Sequence, residues 1–430
     1  MRPGSTTSNR GSYRNGRKHS WNLAGHERCW PKHWSAFTVD TTKRIYITLF
    51  FATVITMTGL GIINPILPLY AKSMKATGVQ LGVVFASFAL SRSIFAPIIG
   101  QYSDRHGRKN LMVAGLVLFT LVSACFVYAN SPLTLTLIRL LQGFAVVLVT
   151  PVAQAYIGDL TPVGKEGKYM NLFYMSFFAG MAIGPYLGGY LADRFNMKAP
   201  FYAMGGLSLL GMVLMLLLVP ESSAIKSHDK KGTPFFKSLL PVYKDKPMVG
   251  IMTYMATRGF YRWGFNTFFP LIAIRAEKMS PADIGLVLSV YMLFGTIMQY
   301  PFGLMADKFP SQKINLILIG GTCSAFSMCA IAYSHSMLMF VTLATSMGGF
   351  SSVSRASTVA IRTERGRIYG MGSATGAFTT SLSLGQVLGP ILFGVIADIS
   401  SIHAAFLVGG LVGLTGTIVS GIFLKSSTAY

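Results

Sequence analysis

Five arginines, Arg92, Arg139, Arg258, Arg262 and Arg355, stand well inside long apolar runs. None of the 14 Asp and Glu residues joins them there; every acid lies in a polar stretch or at the end of a run. A guanidinium keeps its charge and offers five donors in a planar fork. Buried, it either holds an anion or turns to carbonyls and aromatic rings. Tyr254, Arg258, Arg262 and Asn266 recur every four residues, which predicts a polar stripe on one helix face. Phe260, Tyr261, Trp263, Phe265, Phe268 and Phe269 surround that stripe. Arg258 lies ~15 Å along its run, too deep for easy snorkelling. With Asn64, Arg92 and Arg355, the stripe is the candidate binding surface for a molecule with a negative or strongly polar group beside an apolar body.

No nucleophile–base set, phosphate loop or metal cluster lies within the apolar runs, so enzymatic chemistry is not expected and no cofactor is implied. His26, Cys29 and His33 have a spacing that could hold a metal, but a polar tail supplies such spacing by chance. Cys125, Cys323 and Cys329 fall in apolar runs and Cys29 in the tail, which predicts free thiols.

The elements that must position these residues are membrane spans. The chain has 430 residues, 52% hydrophobic and only 12% charged, against about 25% charged in an ordinary soluble domain. An all-α polytopic membrane protein follows. Twelve apolar segments can be read, at about 45–70, 79–103, 110–129, 132–158, 168–193, 200–220, 248–274, 281–306, 313–334, 336–361, 367–398 and 402–424. Residues 1–43 form a basic tail, expected to be disordered and held loosely by anionic lipid. Residues 44–220 and 248–425 form two six-helix bundles. A polar linker, 221–247, carries Pro234, Pro241 and Pro247, and 426–430 is a short C-terminal tail. The net charge of +23 does not point to nucleic acid, because its distribution is that of membrane topology. Of the 37 Lys and Arg residues, 26 fall on the face bearing the chain ends and six on the other. Both termini are therefore expected in the cytoplasm, in a cell (plasma or inner) membrane.

The two halves repeat. Gly100 and Asp104 correspond to Gly303 and Asp307 at an offset of 203 residues. Gly143, Asp159, Gly180, Gly184-Pro185 and Asp193 correspond to Gly348, Glu364, Gly385, Gly389-Pro390 and Asp398 at 205. Such parallel repeats carry a substrate site near the midplane between them.

Three motifs identify the chain as resembling the major facilitator superfamily of transporters, and within it the twelve-span drug:proton antiporters. The first is the hairpin Gly100-Gln101-Tyr102-Ser103-Asp104-Arg105-His106-Gly107-Arg108-Lys109, with the pattern G-x-x-x-D-R-x-G-R-K. The resemblance implies a gating role for Gly100, Asp104, Arg105, Gly107, Arg108 and Asp159, with Arg105 free to pair with Asp159 and Asp104 free to cap a helix. It also implies that Asp104 faces the start of span eleven in the outward-facing state. The second copy, ending at Asp307, lacks the second glycine and the Arg-Lys pair, so a weaker latch is expected there. The second motif is Arg139-x-x-Gln142-Gly143, whose arginine the resemblance links to proton coupling together with Gln142. The third, Gly180-x-x-x-Gly184-Pro185-x-x-Gly188-Gly189, resembles the antiporter hinge that marks exporters. Gly59, Gly61, Asn64, Pro65 and Pro68 in span one also look like that group.

The resemblance implies a proton-coupled exporter of small amphipathic molecules, working as a monomer by alternating access. Its partners are a small-molecule substrate, protons and the bilayer. The chain departs from the group in lacking a mid-span carboxylate, and its basic cavity suits anionic or polar substrates instead. A multidrug pump for lipophilic cations, an uptake carrier for an organic anion, and a non-transporting receptor on the same fold are the competing readings.

Overall fold

A computed structural model describes residues 39–161, 166–219 and 241–426. Most of the 1–43 tail, most of the 221–247 linker and residues 427–430 lie outside the described residues, and with them the His26, Cys29 and His33 set.

Twelve long helices run through the described residues. They are α1 Val39–Ser73, α2 Gly78–His106, α3 Lys109–Val127, α4 Pro132–Leu160, α5 Glu166–Arg194 and α6 Ala199–Leu218, then α7 Lys246–Glu277, α8 Pro281–Lys308, α9 Lys313–Ile331, α10 Met337–Tyr369, α11 Met371–Ile399 and α12 Ile402–Lys425. Their starts follow from short polar residues that satisfy orphan N–H groups. Thr77 and Gln80 form a reciprocal capping box on α2, and Ser280 and Asp283 form another on α8. Ser131, Ser336, Ser401 and Asp245 cap α4, α10, α12 and α7. Gly107 stops α2 with φ at 87°, a conformation that disfavours any side chain.

One boundary departs from the sequence reading. The charged residues 362–367 were expected to form the loop between the tenth and eleventh spans. Instead α10 continues through them to Tyr369, and the single residue Gly370, at φ 93°, separates it from α11. Charges past the bilayer edge do not break a helix; a left-handed glycine does.

Ten of the twelve helices are long and apolar enough to cross a membrane by length and composition. The exceptions are α5 and α7. Both carry polar side chains through their length, and both supply candidate site residues.

Among the first six helices, α2 packs on α4, and α3 on α4 and α6. Among the last six, α7 packs on α11 and α12, α8 on α10, and α9 on α10 and α12. The most extensive packing between the sets joins α2 with α11 and α5 with α8. Both crossings need glycine, because backbone meets backbone. A Cβ on Gly82 would overlap the Pro390 carbonyl oxygen, and one on Gly285 would overlap that of Pro185. Gly394 and Gly189 meet the carbonyls of Gly78 and Pro281 in the same way. These contacts sit toward the face opposite the chain ends, and they obey the 203 and 205 offsets of the sequence repeat.

Candidate functional site

The four-residue stripe on α7 does not form one face. Steps of four residues advance about 40° beyond a full turn, so the stripe winds round the helix. Tyr254 turns inward toward α9 and α12, where its ring edge lies 3.0 Å from a Cβ built on Gly321, beside Thr417. Its hydroxyl is buried without a hydrogen-bond partner. Arg258 is only 4% exposed and donates through Nε to Ser351 Oγ on α10 at 2.8 Å. Arg262 and Asn266 are part-exposed. The Arg262 guanidinium lies 5.5 Å from the Tyr291 ring centre, and Asn266 Oδ1 is buried with no partner.

Arg355 on α10 belongs to the same electrostatic cluster, within the field of Arg258 and Arg262. Its guanidinium sits 5.7 Å from the ring of Phe178 on α5, so a cation from the second set of helices meets an aromatic face from the first. Phe88 on α2 and Trp263 on α7 stack across the same boundary at 6.2 Å. Gln154 donates to the hydroxyl of Tyr174, one turn before Phe178. Asn64 and Arg92 are part-exposed on α1 and α2. Among the described residues, none of the five in-span arginines takes part in an ion pair; the pairs join Arg108 to Asp104 and Asp159, Lys313 to Glu364, and Arg365 to Asp245.

Arg139 is handled differently. It is 2% exposed, donates to Gln142 Oε1 at 2.8 Å, and lies 4.7 and 5.0 Å from the rings of Phe85 and Phe88. Gln142 in turn reaches Met204 Sδ at 3.6 Å. The R-x-x-Q pair is thus a closed unit, with Nε of Arg139 left unpartnered. The aromatic partners come from a helix that the sequence spacing does not reveal.

In the hairpin, Asp159 pairs with Arg108 at 2.9 Å; the expected pairing of Asp159 with Arg105 rests on a side chain outside the described set. Arg108 also reaches Asp104 at 3.2 Å. The side chains of Arg105 and Asp307 lie outside the described set. Asp104 caps no helix among the described residues: α3, whose N-cap position is Arg108, has no side-chain cap. Asp104 and the start of α11, residues 370–372, are all exposed, and a Cβ on Gly100 or Gly303 would meet nothing within 4 Å. The second half keeps an equivalent of the first half's ion pair. Lys313 pairs with Glu364, and these residues sit 205 positions after Arg108 and Asp159. The degenerate second motif had hidden that pair.

On α5, Gly180, Gly184 and Gly188 pack against α1 at Val54, Gly61 and Ile62, while Gly189 faces α8. A Cβ on Gly184 would come 2.6 Å from the Gly61 Cα. The motif is therefore a packing seam on two sides, with Pro185 inside the helix.

A separate cavity of about 370 Å³ lies where α1, α2, α7 and α11 approach one another, and none of the five in-span arginines is among its lining residues. Leu69, Lys72, Leu81, Phe268, Arg275 and Asp398 are among its lining residues.

A family model described as Major Facilitator Superfamily matches residues 49–277 and again 251–429. Multidrug resistance protein 2 of Bacillus subtilis (strain 168) is 28% identical over 394 residues, covering 88% of this chain and 95% of that protein. The quinolone resistance protein NorA of Staphylococcus aureus (strain N315) is 27% identical over 385 residues, with the same coverage. Among solved structures, the nucleoside transporter NupG aligns with a TM-score of 0.74 at 14% identity, over 89% of this chain and 99% of that one. Fold and sequence agree over essentially all twelve helices: the chain is a multi-pass membrane transporter that belongs to the Major Facilitator Superfamily.

Proposed function

We propose that this secondary transporter is a proton-coupled exporter whose cavity favours small amphipathic molecules with an anionic or strongly polar group. The observation that carries the reading is the Arg258, Arg262 and Arg355 cluster, which has no carboxylate partner among the described residues and whose Arg355 lies over the ring of Phe178 from the first set of helices. In a low-dielectric site a lipophilic cation would meet like charge, whereas an anion takes a bidentate contact from a guanidinium. Aromatic side chains then cover its apolar body. Export and proton coupling rest on the hinge motif of α5, on Arg139 with Gln142, and on relatives named for drug resistance. With no mid-span carboxylate, the proton travels with the substrate or on a group beside Arg139.

Both termini are cytoplasmic on this reading, the protein works as a monomer in a cell membrane, and helices 1–6 and 7–12 move as two bundles. The conformation described is then sealed outside, where glycines meet carbonyls, and free at the cytoplasmic hairpin. The names of the relatives, multidrug and quinolone resistance, favour a second reading, multidrug efflux; its competing substrate class is the lipophilic cation.

The test is a competition assay in proteoliposomes, comparing amphipathic anions with lipophilic cations. Arg262→Gln and Arg355→Gln should each weaken the anion by about 1.5–3 kcal/mol, the size of a charged hydrogen bond. If the parent exports cations but never binds an anion, and both variants export cations at the parent rate, the anionic reading is wrong.

A further inference from the structure

The end of α11 does something that no motif describes. Asp398 Oδ1 accepts from the backbone N–H of Gly78 at 2.6 Å, and Oδ2 accepts from that of Val79 at 2.9 Å. These are the first two residues of α2, whose N–H groups the Thr77–Gln80 capping box leaves unused, so a carboxylate from the second set of helices completes the N-terminus of a helix from the first. Both partners of that geometry are favourable, because orphan N–H groups and the positive end of the helix dipole meet a negative charge. The junction is braced beneath: Gly394, one turn earlier on α11, lies against the carbonyl of Gly78, and Gly82 lies against that of Pro390. Lys72 and Arg275 line the same cavity as Asp398, yet Asp398 pairs with neither; it takes the amides.

The repeat provides an internal control. The counterpart of Asp398 is Asp193, 205 residues earlier, and the counterpart of α2's start is Pro281. Both helix starts carry a capping box, Thr77 with Gln80 and Ser280 with Asp283, but Pro281 has no N–H to donate where Gly78 has one. The two crossings share their glycines and differ in this carboxylate.

We infer that Asp398 is a latch holding the outer ends of α2 and α11 together, so that this carboxylate sets the balance between the outward-closed and outward-open states. The inference rests on the alternating-access topology proposed above. It makes Asp398 a positioning residue: it touches no substrate, and it acts through the helix end that it caps.

The experiment places a reporter cysteine at Leu81, which is buried in the closed outer junction, with Cys29, Cys125, Cys323 and Cys329 replaced by serine. Labelling by a membrane-impermeant maleimide is timed from outside without substrate. Asp398→Asn should speed labelling by about fivefold or more, the effect of losing a charge–dipole contact. Val79→Pro, which deletes one donor and leaves Asp398 in place, should act in the same direction and less strongly. Asp193→Asn should label at the parent rate. Parent-like rates in both Asp398→Asn and Val79→Pro, or an equal effect of Asp193→Asn, overturn the latch; should Asp398→Asn not be recovered folded, Val79→Pro decides alone. Anion binding by the parent is measured separately, so a wrong substrate class and a wrong latch give different results.

Discussion

The two ends of the α2–α11 pair are built from the same parts and stand in opposite conditions. At one end, the start of α2 is capped by Asp398 from the end of α11. At the other, the end of α2 carries Asp104 and the start of α11 begins at Met371, and both are exposed. The sealed end has glycines pressed against carbonyls, while Gly100, about 27 Å further along α2, faces open space. Antiparallel helices that each bear a carboxylate near the C-terminus can cap one another at either end. A rigid pair that rocks cannot satisfy both ends at once, so the difference between the ends defines a conformational state.

The strongest way to break this comparison is steric. Gly82→Val places a branched side chain on the Pro390 carbonyl and should destabilise the sealed conformation by roughly 3 kcal/mol, within the range for overpacking. Gly100→Ala should instead be neutral, or stabilising by up to about 1 kcal/mol from helix propensity. Thermal unfolding in detergent reads both, and equal losses at the two sites would erase the distinction between the ends. A middle-sized effect comes from charge. Asp159→Asn leaves the largely buried Arg108 with only Asp104, and should lower stability by about 1–2 kcal/mol. The matching change opposite Lys313, Glu364→Gln at a more exposed position, should cost less than about 1 kcal/mol. The smallest expected change is Asp104→Asn, within about 0.5 kcal/mol in this conformation because the carboxylate is half-exposed. Its effect should fall on turnover, leaving affinity nearly unchanged; weakened binding with normal turnover would remove Asp104 from the gate.

Much of the architecture was readable in advance because bilayer thickness forces long apolar runs and the repeat leaves its glycines at constant offsets. Ser, Thr or Asp caps mark six of the helix starts, those of α2, α4, α7, α8, α10 and α12. What escaped depends on which side chains meet across helices. Asp159 could have taken either hairpin arginine, and the turn at Gly107 brings Arg108 to it. The Lys313–Glu364 pair obeys the repeat offset, but motif matching hid it, because lysine stands where the pattern has arginine. For Arg139 the sequence left open an anion, carbonyls or aromatic rings as partners, and only the approach of α2 shows the rings of Phe85 and Phe88 around it. The winding of the α7 stripe was calculable from helix geometry alone, since an exact repeat of four drifts on a helix of 3.6.

The unpaired arginines also have an electrical meaning. A carrier with several fixed positive charges in its spans, and no fixed negative charge beside them, cannot change conformation in a membrane field without electrical work. Moving one elementary charge through the whole of a 100 mV potential is worth about 2.3 kcal/mol, and a rocking cluster traverses some fraction of it. With the cytoplasm negative, an empty carrier is drawn toward the state that brings Arg258, Arg262 and Arg355 nearer the inside. A bound monoanion subtracts one charge from the moving group. The loaded step is therefore voltage-sensitive to a degree that depends on the cargo, and on the export reading proposed above the resting potential biases the empty carrier toward the side where it collects its load.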